Sequence, residues 1–437
     1  MSSAHLQSEL RPEGNLRRRA LVAGAIGNFV EWYDFVIYGA FTPVLATLFF
    51  PSENRTASLL ATFAVFGVAF LLRPLGGLVF GHVGDRTGRR NTLAFVVIFM
   101  SVATAAMGLL PTYSAVGVLA PLLLLVARAA QGFSAGGEFG GSAVFMVEYA
   151  RPDRRGYFGS WQTATVGLGA AFGTLVSLAF SASLSESALN AWGWRVPFLI
   201  ALPLGVIGLY LRLRLEDTPN FKAVIEKHEE SERTPMVESF RLYPRNIVVG
   251  AGIVIAATLG VYVFHNYVVA YLTETVGTSL AVAQAGVLAG TLSFAGFAVL
   301  WGWLSDRARR RKPFLVAGAV GTLLVSYPAF LLLKTGALPL ILLGEVLFSS
   351  VVVLITGLVP TVLSELFPTN VRYTALSIAY ILANSLFGGT APLVVTYLAD
   401  KTNIDSVAAL YVMAAAAVSL IAALAYRETA GEPLRDK

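Results

Sequence analysis

Glu31 and Asp34 stand three residues apart in the middle of LVAGAIGNFVEWYDFVIYGAFTPVLATLFF, residues 21–50. A helix crossing hydrocarbon needs about 20 mostly apolar residues. A carboxylate at its centre costs roughly 2.5–3.5 kcal/mol on insertion scales. Both acids must therefore face water or a partner and not lipid. Gly24, Gly27, Asn28, Glu31, Asp34 and Tyr38 recur every three or four residues, which gathers them on one stripe of a helix. Arg128 carries the complementary charge inside the otherwise uncharged run AVGVLAPLLLLVARAAQG, and shares a helix face with Gln131, Ala135, Glu138 and Ser142. A buried arginine keeps its proton and has to be paired. An arginine nearby favours the ionised carboxylate, whereas desolvation favours the protonated one. An acid held between these influences can exchange a proton when its surroundings open. Glu31, Asp34, Arg128 and Glu138 are thus candidate proton-handling groups. The alternative is a static ion pair holding two helices together.

A second set of side chains has the chemistry of a small-molecule site. Tyr262 and His265 share a helix face with Thr258 one turn earlier. Tyr33, Tyr38, Gln131, Trp161, Gln162, Tyr380 and Asn384 lie in other apolar stretches. Aromatic faces attract cationic nitrogen, above all quaternary ammonium groups, and a guanidinium takes a carboxylate through two parallel hydrogen bonds. Such a set suits a zwitterion, although aromatic residues also abound in ordinary helix packing.

The elements that must position these groups follow from composition. The 437 residues are 56% hydrophobic and 13% charged, whereas soluble domains average near 25% charged. Apolar stretches at 20–50, 57–82, 91–110, 115–147, 157–181, 195–213, 246–273, 281–304, 313–333, 338–364, 373–399 and 405–426 predict twelve transmembrane helices, an all-α integral membrane fold. Arg17 to Arg19 precede the first stretch. Arg86, Arg89 and Arg90 follow the second, Arg151, Arg154 and Arg155 the fourth, Arg307 to Lys312 the eighth, and Arg372 the tenth. This alternation places both termini in the cytoplasm. It also accounts for the net charge of +6 without nucleic acid. The expected organisation is a cytoplasmic tail 1–19, a six-helix bundle 20–213, a cytoplasmic linker 214–245 with a short amphipathic helix, a second bundle 246–426 and a tail 427–437. The polar, basic start does not read as a signal peptide, and no coiled coil is expected after the twelfth helix.

The halves repeat. GHVGDRTGRR, residues 81–90, follows the second helix, and GWLSDRARRR, residues 302–311, follows the eighth, with Asp85 and Asp306 in corresponding places. This predicts two similar bundles related by an axis along the membrane normal. Together with RAAQGFSAGG, residues 128–137, the first loop resembles the signatures of the major facilitator superfamily. GNFVEWYDFVIYG, RPLGGLVFGHVGDR, QGFSAGGEFGGSAVFMVEY, WGWRVPFLIALPLGVIGLYLR and ELFPTNVRYTAL, in this order, resemble the metabolite:H+ symporter family. IALPLGVIGLYLR, FPTNVRYTAL and RETAGEPL are most similar to its proline/betaine symporters. The resemblance implies a first-helix acid and a fourth-helix arginine linked to proton coupling. It also implies a loop network of Gly81, Gly84, Asp85, Arg86, Gly88, Arg89 and Arg90 that locks one state of the transport cycle. Asp306 and Arg307 are the second-half counterparts, and Glu148, beside Arg151, Arg154 and Arg155, reads as a gate salt bridge. Arg309 stands where the first half has Gly88, so the second loop is not expected to make the same tight turn.

The expected function is proton-coupled symport of a small zwitterion or monoanion such as proline or glycine betaine. The driving force would be the proton gradient, without a cofactor, in a monomer in the cell membrane. An organic-acid symporter is the alternative. A dicarboxylate or tricarboxylate would ask for more buried cations than Arg128 and, in the second span, Arg73. A transporter-like sensor would want a signalling domain, and an enzyme a nucleophile–base pair or a metal cluster. The chain has no cysteine, and His5, His82, His228 and His265 do not pair at metal-ligand spacing. Its glycines lie in apolar spans with no GK[ST] sequence, which excludes a phosphate cradle.

Overall fold

The computed structural model describes residues 14–87, 89–148, 150–213, 241–369 and 371–434. α1 runs from Gly14–Ala40 and bends by 61° at Phe41 into Thr42–Phe49. α2 is Arg55–Thr87 and α3 is Arg89–Leu109. α4 is Leu119–Ser134, continued through a tight turn at Ala135–Gly137 into Glu138–Glu148. α5 is Arg155–Ser183. α6 joins Glu186–Ala188, a π-turn at Leu189–Gly193 and Arg195–Leu213. The second half holds α7 (Pro244–Glu274), α8 (Leu280–Ala308), α9 (Lys312–Lys334), α10 (Leu338–Leu366), α11 (Arg372–Thr402) and α12 (Val407–Ala425). Among the described residues, eight helices are long and apolar enough to cross a membrane, and ten when each bent pair is one span. α3 and α4 complete the twelve with the shorter apolar stretches Ala94–Leu109 and Leu119–Ser134.

The bundle is apolar outside and polar inside. Leu109, Val248 and Ile421 are each 70% exposed, while Glu31, Asp34, Arg73, Arg128 and Glu345 are buried. That inversion fits a chain whose outer solvent is lipid, where polar groups have to pair with one another. The halves meet along α5 and α8. There Gly156 lets the backbones touch: a Cβ on it would lie 2.7 Å from the Gly302 carbonyl oxygen.

Several boundaries differ from the sequence reading. α1 begins at Gly14, within the expected tail. Glu186–Gly193, ahead of the expected start at 195, belong to the bent start of α6, because a π-turn carries the helix through Trp192 and Gly193. The loop after α8 does turn tightly. Arg309 takes φ 51° and ψ 38°, the left-handed conformation usually left to glycine, and its amide bonds back to Ser305 and Asp306. The linker 214–240 with its amphipathic helix, Gly88, and the side chains of Gly81, Gly84, Asp85, Arg86, Arg89, Arg90 and Glu138 lie outside what is described.

Candidate functional site

The first-helix acids are buried as their spacing required, but their partners are redistributed. Glu31 pairs with Arg73 of α2, Oε1 to Nη2 at 3.5 Å, with both side chains about 5% exposed. The Arg73 guanidinium also lies over the rings of Phe35 and Phe70, at 4.3 and 4.4 Å. Asp34 faces α3, where Ser101 Oγ donates to Oδ2 at 3.4 Å. Arg128 does not take either carboxylate directly. Its Nη1 donates to Gln131 Oε1. Gln131 Nε2 donates onward to the Asp34 carbonyl at 3.2 Å and to Thr104 Oγ1 at 2.7 Å. The guanidinium sits over Tyr38 at 4.4 Å and over Phe35 and Phe66, each at 4.8 Å. Its Nε and Nη2 meet no hydrogen-bond acceptor. The expected Arg128–acid pair is thus not formed directly: Gln131 ties Arg128 to the α1 backbone at Asp34, and aromatic faces hold the cation on its other sides.

The candidate ligand residues divide. A cavity of ≈ 40 Å³ between the halves is lined by Gln162, Tyr262, Tyr380 and Asn384, joined by Trp32, Thr258 and Phe294. Trp32 stacks on Tyr262 across the halves, with centroids 6.1 Å apart. Its fifteen lining residues include no Asp, Glu, Lys, Arg or His. Three of them present buried polar atoms without a partner: Gln162 Nε2, Tyr262 OH and Asn384 Oδ1. Tyr33, Tyr38, Gln131, Trp161 and His265 lie elsewhere. Tyr33 OH donates to the Pro197 carbonyl and Tyr38 OH to the Thr62 carbonyl, at 2.8 and 2.9 Å. Trp161 packs edge-on against Tyr157, and His265 bonds Ser349 at 3.1 Å. Both α7 and α11 pass the site through π-turns, Val263–Tyr267 and Asn384–Gly388. Such turns re-aim side chains and recur at functional sites.

One end of the bundle, rich in arginine, is closed by reciprocal ion pairs between the halves. Glu148, at the end of α4, meets Arg372, at the start of α11, at 2.5 Å. Glu365, near the end of α10, meets Arg155, at the start of α5, at 3.9 Å. Glu365 follows Glu148, and Arg372 follows Arg155, by 217 positions each. Glu148 therefore bridges the halves and does not pair with its neighbours in sequence. Asp306 accepts the amides of Gly156 and Tyr157, at 2.8 and 2.7 Å, and so caps α5 from the opposite half. Arg311 clamps Asp306 at 2.7 Å and Glu365 at 3.5 Å. Burial opposes its charge, but Glu365 and Asp306 outweigh that and hold the guanidinium above its ordinary range. The inward place is Arg311's, since Arg307 lies exposed over Trp303. The segment after α12 closes over this end: Glu428 accepts the amides of Arg311 and Lys312, and Thr429 donates to Glu365.

Sequence comparison agrees with this architecture. Residues 20–236 match the family model "Sugar (and other) transporter" and residues 250–437 match "Major Facilitator Superfamily". The glycine betaine/proline/ectoine/pipecolic acid transporter of Dickeya dadantii is 38% identical over 431 residues, which cover 97% of this chain and 85% of that one. The proline/betaine transporter of Escherichia coli K12 is 36% identical, covering 97% and 86%.

The chain belongs to the major facilitator superfamily, among the proline/betaine transporters.

A solved structure of the proton:xylose symporter XylE shares the facilitator fold, with TM-score 0.76, 18% identity and coverage of 97% of this chain and 98% of that one. As a facilitator this protein is a multi-pass membrane transporter whose two six-helix bundles meet around the cavity at Trp32 and Tyr262. Sequence reasoning left the partner of Arg73 open between a helix end and a carboxylate, and it missed Trp32, Phe294, Arg311, Gln284 and Glu345. The Glu-x₆-Arg spacing that Glu148/Arg155 and Glu365/Arg372 share at equivalent places in the two bundles was the available signal for the reciprocal pairs.

Proposed function

We propose that this transporter carries a small zwitterion of the proline or glycine betaine class together with a proton, by alternating access around the inter-half cavity. The observation that carries the substrate class is a lining with no formal charge, aromatic faces, and buried polar groups without partners. A net-neutral solute needs no counter-charge there. Its cationic nitrogen suits the faces of Trp32, Tyr262 and Tyr380, and its carboxylate suits the donors Gln162 Nε2 and Tyr262 OH. A dicarboxylate would bring uncompensated charge into the same space. The relatives named for proline, betaine and ectoine support this choice.

Ion pairs join the halves at both ends here, and ≈ 40 Å³ is room for no more than a few waters. The cavity therefore has to widen as one end separates. Asp34, Glu31, Arg73 and Arg128 balance when all are ionised, so a proton taken by one acid leaves the cluster with a net positive charge. That change acts on α1, which also carries Trp32 into the cavity. The arginine-rich end then faces the cytoplasm, with both termini on that side. The protein acts as a monomer in the cell membrane, without nucleotide or resident cofactor.

Uptake into proteoliposomes, with proline, glycine betaine, ectoine, shikimate, 2-oxoglutarate and citrate as competitors, tests the substrate class. Zwitterions should compete and the polyacids should not, and Trp32→Ala should weaken zwitterion uptake at least tenfold. Competition by the polyacids alone would overturn the assignment.

A further inference from the structure

A second buried ionisable pair lies in the C-terminal half, outside the cavity. Glu345 of α10 is fully buried, and neither carboxylate oxygen has a hydrogen-bond partner. His265 Nε2, in the π-turn of α7, lies 4.0 Å from Glu345 Oε2 and 3.1 Å from Ser349 Oγ. α8 leaves room for the carboxylate with glycine: a Cβ on Gly290 would stand 2.6 Å from Glu345 Oε2. α9 faces the same stretch of α10 with Ala329, Leu332 and Leu333 around Gly344. Among the described residues, His265 is the titratable side chain that meets Glu345.

The repeat gives this pair its meaning. Glu345 follows Arg128 by 217 positions, the offset that relates the reciprocal pairs of the closed end. In the first half the first helix carries acids, Glu31 and Asp34, and the fourth carries an arginine, Arg128. In the second half the signs are exchanged, with a base on the first helix and an acid on the fourth. The first-half cluster can be fully ionised and neutral. The second-half pair is neutral only with one proton aboard, as a carboxylic acid beside neutral imidazole or as carboxylate beside imidazolium. Losing that proton leaves one uncompensated negative charge in a dry site, which requires water to reach it. Phe294 links the pair to the substrate, since its ring stands edge-on to His265 at 5.9 Å and also lines the cavity.

We infer that Glu345 and His265 form a second proton-binding site, loaded in the closed state and emptied when α7, α8 and α10 part. The proton enters from water on the side where substrate enters and leaves to water on the other, with no bond made or broken besides O–H or N–H. This rests on the proton-symport reading. Together with the first-half acids, the site makes the wild-type ratio two protons per zwitterion.

Reversal-potential measurements in proteoliposomes read that ratio. Wild type should give two protons per glycine betaine. Glu345→Gln, which mimics the protonated acid, should give one and keep betaine counterflow. Glu345→Gln with the wild-type ratio overturns the inference while leaving symport intact. Wild-type uptake with no proton flux at all refutes the symport reading itself. Should Glu345→Gln fail to insert, Ser349→Ala removes the hydrogen bond to His265 without touching a charge. It should move the pH of half-maximal uptake by at least one unit with counterflow unchanged. An unmoved profile also overturns the inference.

Discussion

The two ends of the molecule are closed by different physics. At the arginine-rich end, Asp306, Arg311, Glu365 and Arg155 are buried and share partners. They are reinforced by the amides of Gly156 and Tyr157 and by the segment that follows α12. At the opposite end, Arg55 and Glu274 join α2 to α7 through two hydrogen bonds of 2.7 and 2.6 Å, but Arg55 is 39% exposed. Behind them Gln284 donates to the Ala40 carbonyl at 3.0 Å and accepts from Ser181. Removing one member of a buried network strands a charge and costs roughly 3–5 kcal/mol. An exposed pair contributes about 0.2–1 kcal/mol. The Arg55 end should therefore open more readily, and the arginine-rich end should open only when its network is relieved.

A single reporter measures that asymmetry, because the chain has no native cysteine. Val166→Cys places a thiol on the cavity wall, and membrane-impermeant maleimide can be applied from either side. The largest expected effect is Asp306→Ala, which uncaps α5 and takes a partner from buried Arg311. At roughly 3–5 kcal/mol it should raise labelling from the arginine-rich side on the order of a hundredfold or more. Arg372→Ala should do less, about 1–2 kcal/mol or roughly tenfold, because Glu148 is partly exposed and water takes up its charge. Arg55→Ala should be smallest, no more than about fivefold and from the opposite side. If Arg55→Ala exceeds Asp306→Ala, the asymmetry is reversed and the account of the gates fails. The charge exchange of Glu148→Arg with Arg372→Glu sharpens the comparison. It should return labelling toward wild type if the pair acts as a bridge between halves.

Much of this was legible in the residues. Twelve apolar stretches, the basic loops and the repeated Asp85 and Asp306 loops are consequences of hydrocarbon thickness and charge, and they define the facilitator fold. Buried acids on α1 announce themselves because an apolar helix tolerates them only for a reason. Which cation meets them did not follow. Arg73 and Arg128 both lie in spans, and only the packing of α1 against α2 gives Glu31 to Arg73 while Phe35, Tyr38 and Phe66 surround Arg128. Candidate ligand residues were hard to sort for a similar reason. The π-turns of α7 and α11 change which side chains point inward, and they leave no mark in composition. His265 bonds Ser349 and stays out of the cavity lining that Tyr262 joins. Glu345 passed unnoticed because a single acid in LPLILLGEVLFSSVVVLIT resembles a residue near a helix end until the fold buries it.

A net-neutral zwitterion that moves with protons carries charge across the membrane. Currents recorded from reconstituted protein on a solid-supported membrane, in sodium-free buffer, test this directly. A glycine betaine jump should drive positive charge in the direction of substrate, and Asp34→Asn should at least halve that charge while betaine counterflow continues. Uptake of betaine without charge movement, or only in the presence of sodium, would contradict it.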